Sequence, residues 1–293
     1  MDSLQKIAKS PIAVVCHDAG AANLIVHWLK DYEGIIFPCI EGPAKKIWKL
    51  HFPEIEILRI KDVINNLNTL LTGTGNSDFE HNARVMAQNK CLISISVIDH
   101  WTSYRERFTF KNKTVLPDLI LVSDRFAKKL SQSTFPLVKV VQLDNLYLIN
   151  EVKLVFERRK RSVTSPPIRI LVVMENFKIN SHNKQSLGFT SLEYLISNIH
   201  KINTSKNLTI RIRPHPSEQY NKYDEFIQRN ILFEVSKSQD LYKDLAWADL
   251  VAGMQSFAMV VALHSKIPTI SILPPNTIEC ILPYDNILKL KDF

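Results

Sequence analysis

Glycine is scarce in this chain, with seven residues in 293. Two of them fall within three positions, in Thr72-Gly73-Thr74-Gly75, and so mark a turn of special geometry. That turn lacks the GK[ST] ending of a Walker loop, and no complete GxGxxG occurs. Cysteine is scarcer still. Cys16, Cys39, Cys91 and Cys280 lie far apart and form no CxxC pair, which excludes zinc-type spacing and a disulfide framework and fits a reducing cytoplasm. No run of about 18 apolar residues is present to cross a membrane. No early segment joins a basic start, an apolar stretch and a small-residue cleavage site. The expected localisation is therefore cytoplasmic. The net charge of +8 is mostly dispersed, with one cluster at Glu157-Arg158-Arg159-Lys160-Arg161. Basic repeats interleaved with aromatics, zinc fingers and RNP-like motifs are all missing, so nucleic acid is not an expected partner. A weak contact with anionic headgroups at the inner membrane face stays open.

What the chain does have is a strand–helix rhythm. Hydrophobic residues make up 45% and charged residues 23%, and the length allows two ordinary domains. In the first half IAVVC, GIIFPCI, NTLLT, LISISV, DLILV and VKVVQL read as strands. EIEILRI (54–60) reads as a further short one. Helical segments lie between them, among them SDFEHNARVMAQNK with Ser77 or Asp78 as its cap. The stretch ERRKRSVTSPP has like charges, then small polar residues and two prolines, as linkers do. Beyond it IRILVVM, LTIRIRP, ILFEVS, DLVAGM and a last strand IPTISIL repeat the pattern. The expected fold is α/β: two Rossmann-like domains, 1–157 and 168–293, joined by a linker at 158–167, with parallel sheets facing an interdomain cleft.

Candidate functional residues cluster after strands, where open α/β sheets bind ligands. Arg213, Pro214, His215 and Pro216 end one strand. An arginine fork matches a phosphate, and the prolines hold the loop in a fixed shape; a plain strand-ending loop is the alternative. Gln255 and Ser256 sit in the turn before a helix, where N–H groups and a hydroxyl suit an anion, while Ser256 also suits a helix cap. In the first half Asp18 follows the first strand, as a base or as a cap. Thr74 and Gly75 form the glycine turn, read as sugar-binding or as purely structural. Asp99 and His100 offer acid/base chemistry at a strand end, with Trp101 as a flat face for a sugar ring. Asp78 at a helix start is a weaker base, because the helix dipole stabilises its charge.

The second half resembles the nucleotide-sugar domain of GT-B glycosyltransferases over about 90 residues, on the segments IRPHP and DLAWADLVAGMQSFAMVVALHSKIPTISI. GT-B sialyltransferases have an HP motif that contacts the CMP part of the donor and a later serine motif that holds its phosphate. CDP-glycerol polymerases have a similar loop and turn. On that resemblance His215 and Pro216 match the HP element and Ser256 the serine element, with one serine where several members have two. The first half, with HDAGAANL, TGTGNSDFEHNAR and VIDHWTSYRERF, is similar to proteins encoded among bacterial surface-polysaccharide genes. The acidic-glycine triplet that carries the sialyltransferase base is absent, and Asp18, Asp78 and Asp99 replace it by position only. The resemblance implies a metal-independent glycosyltransferase of bacterial glycan synthesis, with no cofactor beyond the nucleotide-sugar donor, possessing no DxD-like metal site. Its donor would be held by Arg213, His215, Pro216, Gln255 and Ser256. The acceptor, a glycan or a lipid-linked sugar, would lie near Thr74, Gly75 and Trp101. The base would be Asp99, then Asp18, with His100 beside them. A nucleotide-sugar epimerase or hydrolase of the same fold, or a non-catalytic binding protein of a polysaccharide assembly, are the alternatives.

Overall fold

A computed structural model of the chain describes residues 3–75, 77–159, 168–176, 186–202, 207–216, 218–219, 221–229 and 233–293. The linker expected at 158–167 lies almost wholly outside them. The chain divides into two compact units, Met1–Tyr147 and Leu148–Phe293, the division falling inside the helix Leu146–Arg158.

The first unit is built on six strands: β1 (Ile12–Cys16), β2 (Ile36–Ile40), β3 (Thr69–Thr72), β4 (Ile93–Val97), and, beyond a small hairpin of β5 (Thr109–Phe110) and β6 (Lys113–Thr114), β7 (Leu119–Val122) and β8 (Lys139–Gln142). Apart from the hairpin they form one parallel sheet in the order β2-β1-β3-β4-β7-β8. All five residues of β1 are buried, which is why IAVVC is an unbroken apolar run. Alternate residues face opposite ways. Ile12, Val14 and Cys16 pack with Ala21, Leu24, Ile25 and Trp28 of the helix Ala19–Leu29. Ala13 and Val15 pack with Ala83 and Ala87 of the helix Asp78–Asn89. Each large apolar side chain so buried contributes about 1.5–3 kcal/mol.

Two local expectations need correction. The segment 54–60 is not a strand. Its Ile55 and Ile57 pack against the core as an extended run would, but no ladder forms there; Leu58 N–H donates to Pro38 O instead. The crossover from β4 to β7 contains no α-helix. A 3-10 turn (Glu106–Phe108) and the β5–β6 hairpin take its place. The hairpin turns through Lys111 (φ 46°) and Asn112 (φ 61°), both left-handed, as a two-residue hairpin loop requires.

The second unit carries β9 (Ile168–Val173), β10 (Leu208–Arg213), β11 (Phe233–Val235), β12 (Leu250–Gly253), β13 (Thr269–Ser271) and β14 (Leu288–Lys289), all parallel, in the order β11-β10-β9-β12-β13-β14. IPTISIL is thus followed by one further short strand. Ile170, Val172, Ile210, Ile212, Ala252 and Ile270 form a buried face against Leu192 and Leu195 of the helix Leu187–Ser197. In chain order the second sheet runs 3-2-1-4-5-6 and the first 2-1-3-4-5-6. Both are doubly wound α/β arrangements, and each has a point where strand order reverses: between β1 and β3 in the first unit, between β9 and β12 in the second. Ligands of such sheets bind at the strand ends beside that reversal.

Candidate functional site

In the first unit the reversal brings together the residues after β1 and β3. His17 and Asp18 follow β1. Asp18 is the N-cap residue of the helix Ala19–Leu29, yet its side chain makes no capping bond. Its Oδ1 lies 2.6 Å from His17 Nδ1 instead, and both side chains keep partial solvent access, 31% for His17 and 41% for Asp18. Glu80, buried on the neighbouring helix, fixes the backbone here: it accepts from His17 N–H at 2.9 Å and from Ser77 Oγ at 2.9 Å. Burial raises its pKa, with Asp18 adding to the rise and the hydrogen bonds opposing it. Ser77, not Asp78, is the N-cap residue of that helix.

Asp99 is placed differently from Asp18. Its Oδ1 accepts from Arg107 Nη1 at 2.9 Å, and the same nitrogen reaches Thr74 O and Thr74 Oγ1, each at 3.2 Å. Both side chains of the pair are mostly buried. Arg107 comes from the crossover, two residues before the hairpin, and locks it onto the turn after β3. Arg84, 2% exposed, continues the lock by donating to Gly73 O and Arg107 O and lying over the Phe108 ring. Thr74 is buried and donates to Val97 O at 2.8 Å, so its hydroxyl is committed within the fold. Trp101 is 8% exposed and its indole N–H donates to Asp124, which leaves little ring surface for stacking a sugar. His100 is half-buried beside Trp101.

Four of the seven glycines gather at this one place. A methyl group on Gly20 would overlap the Asp99 carboxylate, one on Gly75 the Asp18 carboxylate, one on Gly73 would lie 2.9 Å from Glu80 Oε1, and one on Gly42 2.5 Å from His17 Nε2. Glycine is favoured because three carboxylic side chains and an imidazole lie against the backbone at these positions. Gly20→Ala is expected to destabilise the protein by about 1–3 kcal/mol, since Arg107 holds the carboxylate that must move. A thermal scan reads this directly; an unchanged melting temperature would show that Asp99 yields freely.

In the second unit the reversal falls between β9 and β12. Glu175 follows β9, and Gln255 and Ser256 follow β12, ahead of the helix Phe257–His264. Ser256 Oγ accepts from Ala258 N–H at 3.2 Å as the helix cap. Gln255 N–H donates to Glu175 Oε1 at 2.6 Å. Burial pushes the Glu175 carboxyl up to about 7, opposed by that hydrogen bond. His215 follows β10, on the other side of β9, about 10 Å from β12 by strand spacing. Its backbone N–H donates to buried Glu218, which also accepts from Lys222 and Tyr223, so the HP loop is held from below. Burial lowers the His215 pKa, with Glu218 opposing and Lys222 reinforcing the shift, which favours the neutral form of the imidazole. Pro216 is exposed in the turn.

Arg213 departs from its expected role. Its Nη1 meets Asp244 Oδ2 at 2.5 Å and Ser238 O at 3.0 Å, and its Nη2 meets Gln239 O at 3.0 Å. The fork assigned to a phosphate is filled by the loop that follows β11. Sequence reasoning placed Asp18, His215, Gln255 and Ser256 at strand ends, where they stand. Glu80 could be named only as a residue that the glycine turn would present with Asp78, and His17, Arg107 and Glu175 were missed; a polar residue closing the apolar run IRILVVM was the available signal for Glu175. Among the described residues no group of three His, Cys, Asp or Glu side chains is arranged to hold a metal. No helix there is long and apolar enough to cross a membrane.

No protein-family model matches the sequence, and no curated protein matches it. Solved structures do match. A Listeria monocytogenes protein assigned as a UDP-N-acetylglucosamine 2-epimerase is 13% identical, with a TM-score of 0.61 over 91% of this chain and 80% of that one. A glycosyltransferase from Rickettsia africae is 10% identical, with a TM-score of 0.53 over 90% of this chain and 79% of that one. The chain has the two-unit Rossmann-like fold of the GT-B type.

Proposed function

We propose that the protein is a metal-independent glycosyltransferase that uses a nucleotide-activated sugar in the synthesis of a bacterial surface glycan. The observation that carries this reading is the His17–Asp18 pair, 2.6 Å apart and solvent-accessible, at the strand-order reversal of the first unit. It is a base of the kind an acceptor hydroxyl needs. The likeness of fold to the Rickettsia africae glycosyltransferase supports the same reading. In this scheme the second unit takes the donor. The neutral His215 imidazole donates one N–H to a phosphate oxygen and stabilises the leaving nucleotide. The first unit takes the acceptor. His17 accepts the hydroxyl proton as the oxygen attacks the anomeric carbon and the bond to phosphate breaks; Asp18 stabilises the imidazolium that results. A base held as His17 and Asp18 replaces the earlier ranking of Asp99 first, because Asp99 is bound to Arg107. The acceptor is a glycan or a lipid-linked sugar, and the net charge of +8 suits a cytoplasmic protein making weak contact with anionic headgroups.

The likeness to the Listeria monocytogenes protein favours one second reading, a nucleotide-sugar epimerase. Thermal scans with CMP, CDP, UDP and GDP test the shared premise, since a ligand that binds only the folded state raises the melting temperature. At least one of the four is expected to do so, and His215→Ala to weaken that nucleotide about tenfold. Consumption of the matching nucleotide-sugar only when a glycan acceptor is added supports transfer; isomerisation without acceptor supports the epimerase. No stabilisation by any nucleotide overturns both.

A further inference from the structure

The reversal point of the second unit is ordinarily read as a phosphate site, because a helix starts there. Its hydrogen-bonding state says otherwise. Gln255 N–H is taken by Glu175, Ala258 N–H by Ser256 Oγ, and Met259 N–H by Ser256 O at 3.0 Å. Three N–H donors of this turn are thus engaged within the fold. Two acceptors stand in their place. Glu175 uses one carboxylate oxygen on Gln255 N–H and forms no other hydrogen bond among the described residues. Gln255 is 9% exposed, and its side-chain Oε1 is buried without a hydrogen-bond partner among the described residues. A buried amide oxygen with no donor is costly unless a ligand supplies one. In its ionised form the Glu175 carboxyl would also repel a neighbouring phosphate. The chemistry that fits two acceptors on adjacent strand ends is a group rich in O–H donors.

We propose that Glu175 and Gln255 form a hydroxyl-reading subsite, which holds hydroxyl groups of the nucleotide-sugar and excludes its phosphates. The assignment rests on the donor-binding role given above to the second unit. The hydroxyls belong either to the ribose or to the transferred sugar. The carboxylate serves both, since one of its oxygens is held by Gln255 N–H and the other remains to accept from the ligand. His215, on the far side of β9, is left to meet the phosphate.

Calorimetric titration separates the possibilities. The probes are the nucleotide that stabilises the protein best, its 2′-deoxy counterpart, the matching nucleotide-sugar, and inorganic pyrophosphate. The variants are Glu175→Gln, which keeps an acceptor for Gln255 N–H, and Gln255→Met. If the ribose is read, wild-type protein binds the ribonucleotide about tenfold tighter than the deoxy form, and the gap closes in both variants. If the sugar is read, ribo and deoxy forms bind alike, while the nucleotide-sugar binds about tenfold tighter than the nucleotide, and that gap closes instead. Pyrophosphate is expected to bind no worse in Glu175→Gln than in wild type. The assignment is overturned if wild-type protein shows neither gap, a result that needs no variant to fold. It is also overturned if a gap persists unchanged in both variants, or if pyrophosphate binding is lost with Glu175. Nucleotide binding that survives any of these leaves the donor role of the second unit standing. A wild-type protein that binds no nucleotide removes that role and this subsite with it.

Discussion

Asp18→Asn is expected to lower transfer turnover by at least about a hundredfold while leaving nucleotide affinity unchanged. The substitution keeps the shape of the side chain, and its amide oxygen can still accept from His17 Nδ1. What it removes is the negative charge that stabilises a protonated imidazole. The loss therefore falls on the step in which His17 takes the acceptor proton, and it appears in kcat more than in KM. Donor binding, assigned to the second unit, is untouched. Asp99→Asn is the informative comparison. That carboxylate holds Arg107, and through it Thr74 and the crossover before the hairpin, so its loss is expected to lower the melting temperature. A variant at Asp18 that keeps turnover within about threefold of wild type would remove His17–Asp18 as the base.

Asp244→Ala is expected to cost the second unit about 3–5 kcal/mol. Asp244 is 1% exposed and accepts from Arg213 at 2.5 Å, from Ser236 Oγ at 2.6 Å and from Arg211 at 3.4 Å. Removing it leaves two largely buried guanidinium groups with less compensation, and breaking one side of a buried ion pair is far more damaging than never having had the pair. Arg211 retains Glu234 and the Trp247 ring, so Arg213 bears most of the loss. For a protein of this size the melting transition of the unit is expected to fall by on the order of 10 °C. Exchange of the amides in residues 236–240 should quicken most, since Arg213 ties that loop down. A fall of less than about 2 °C would show that water or Glu234 replaces the lost carboxylate. A comparable fall, on the order of 10 °C, at Arg213→Met, with nucleotide affinity held, would confirm that Arg213 acts on the fold.

The alternation of strands and helices was legible because parallel strands are buried on both faces and so read as apolar runs; IAVVC and IRILVV are plain cases. The segment 54–60 shows the limit of that signal. Alternating burial of Ile55 and Ile57 needs only an extended chain against a core, and pattern alone does not report whether a neighbouring strand is present to pair. The β5–β6 hairpin was hidden for the opposite reason: its left-handed turn is made by Lys111 and Asn112, with no glycine to mark it. Site residues at strand ends could be located, but their partners could not. Whether Asp99 is a base or half of an ion pair depends on where the crossover sets Arg107. Whether Arg213 meets a ligand depends on the loop after β11. Both are long-range packing outcomes that local sequence does not encode.

The differing strand orders of the two sheets bear on how the chain is made. The first unit closes its reversal early, His17 meeting Glu80 across 63 residues. The second closes late, Gln255 meeting Glu175 across 80 residues, because β10 and β11 are laid down on one side of β9 before β12 arrives on the other. Pairings of such separation require loop closure before they return any stability, and they form slowly. A nascent second unit therefore carries β9 with one flank open until nearly the whole chain has been synthesised. Truncation shortly before Leu250 would leave no central partner for that flank, and the unit would expose an apolar strand edge.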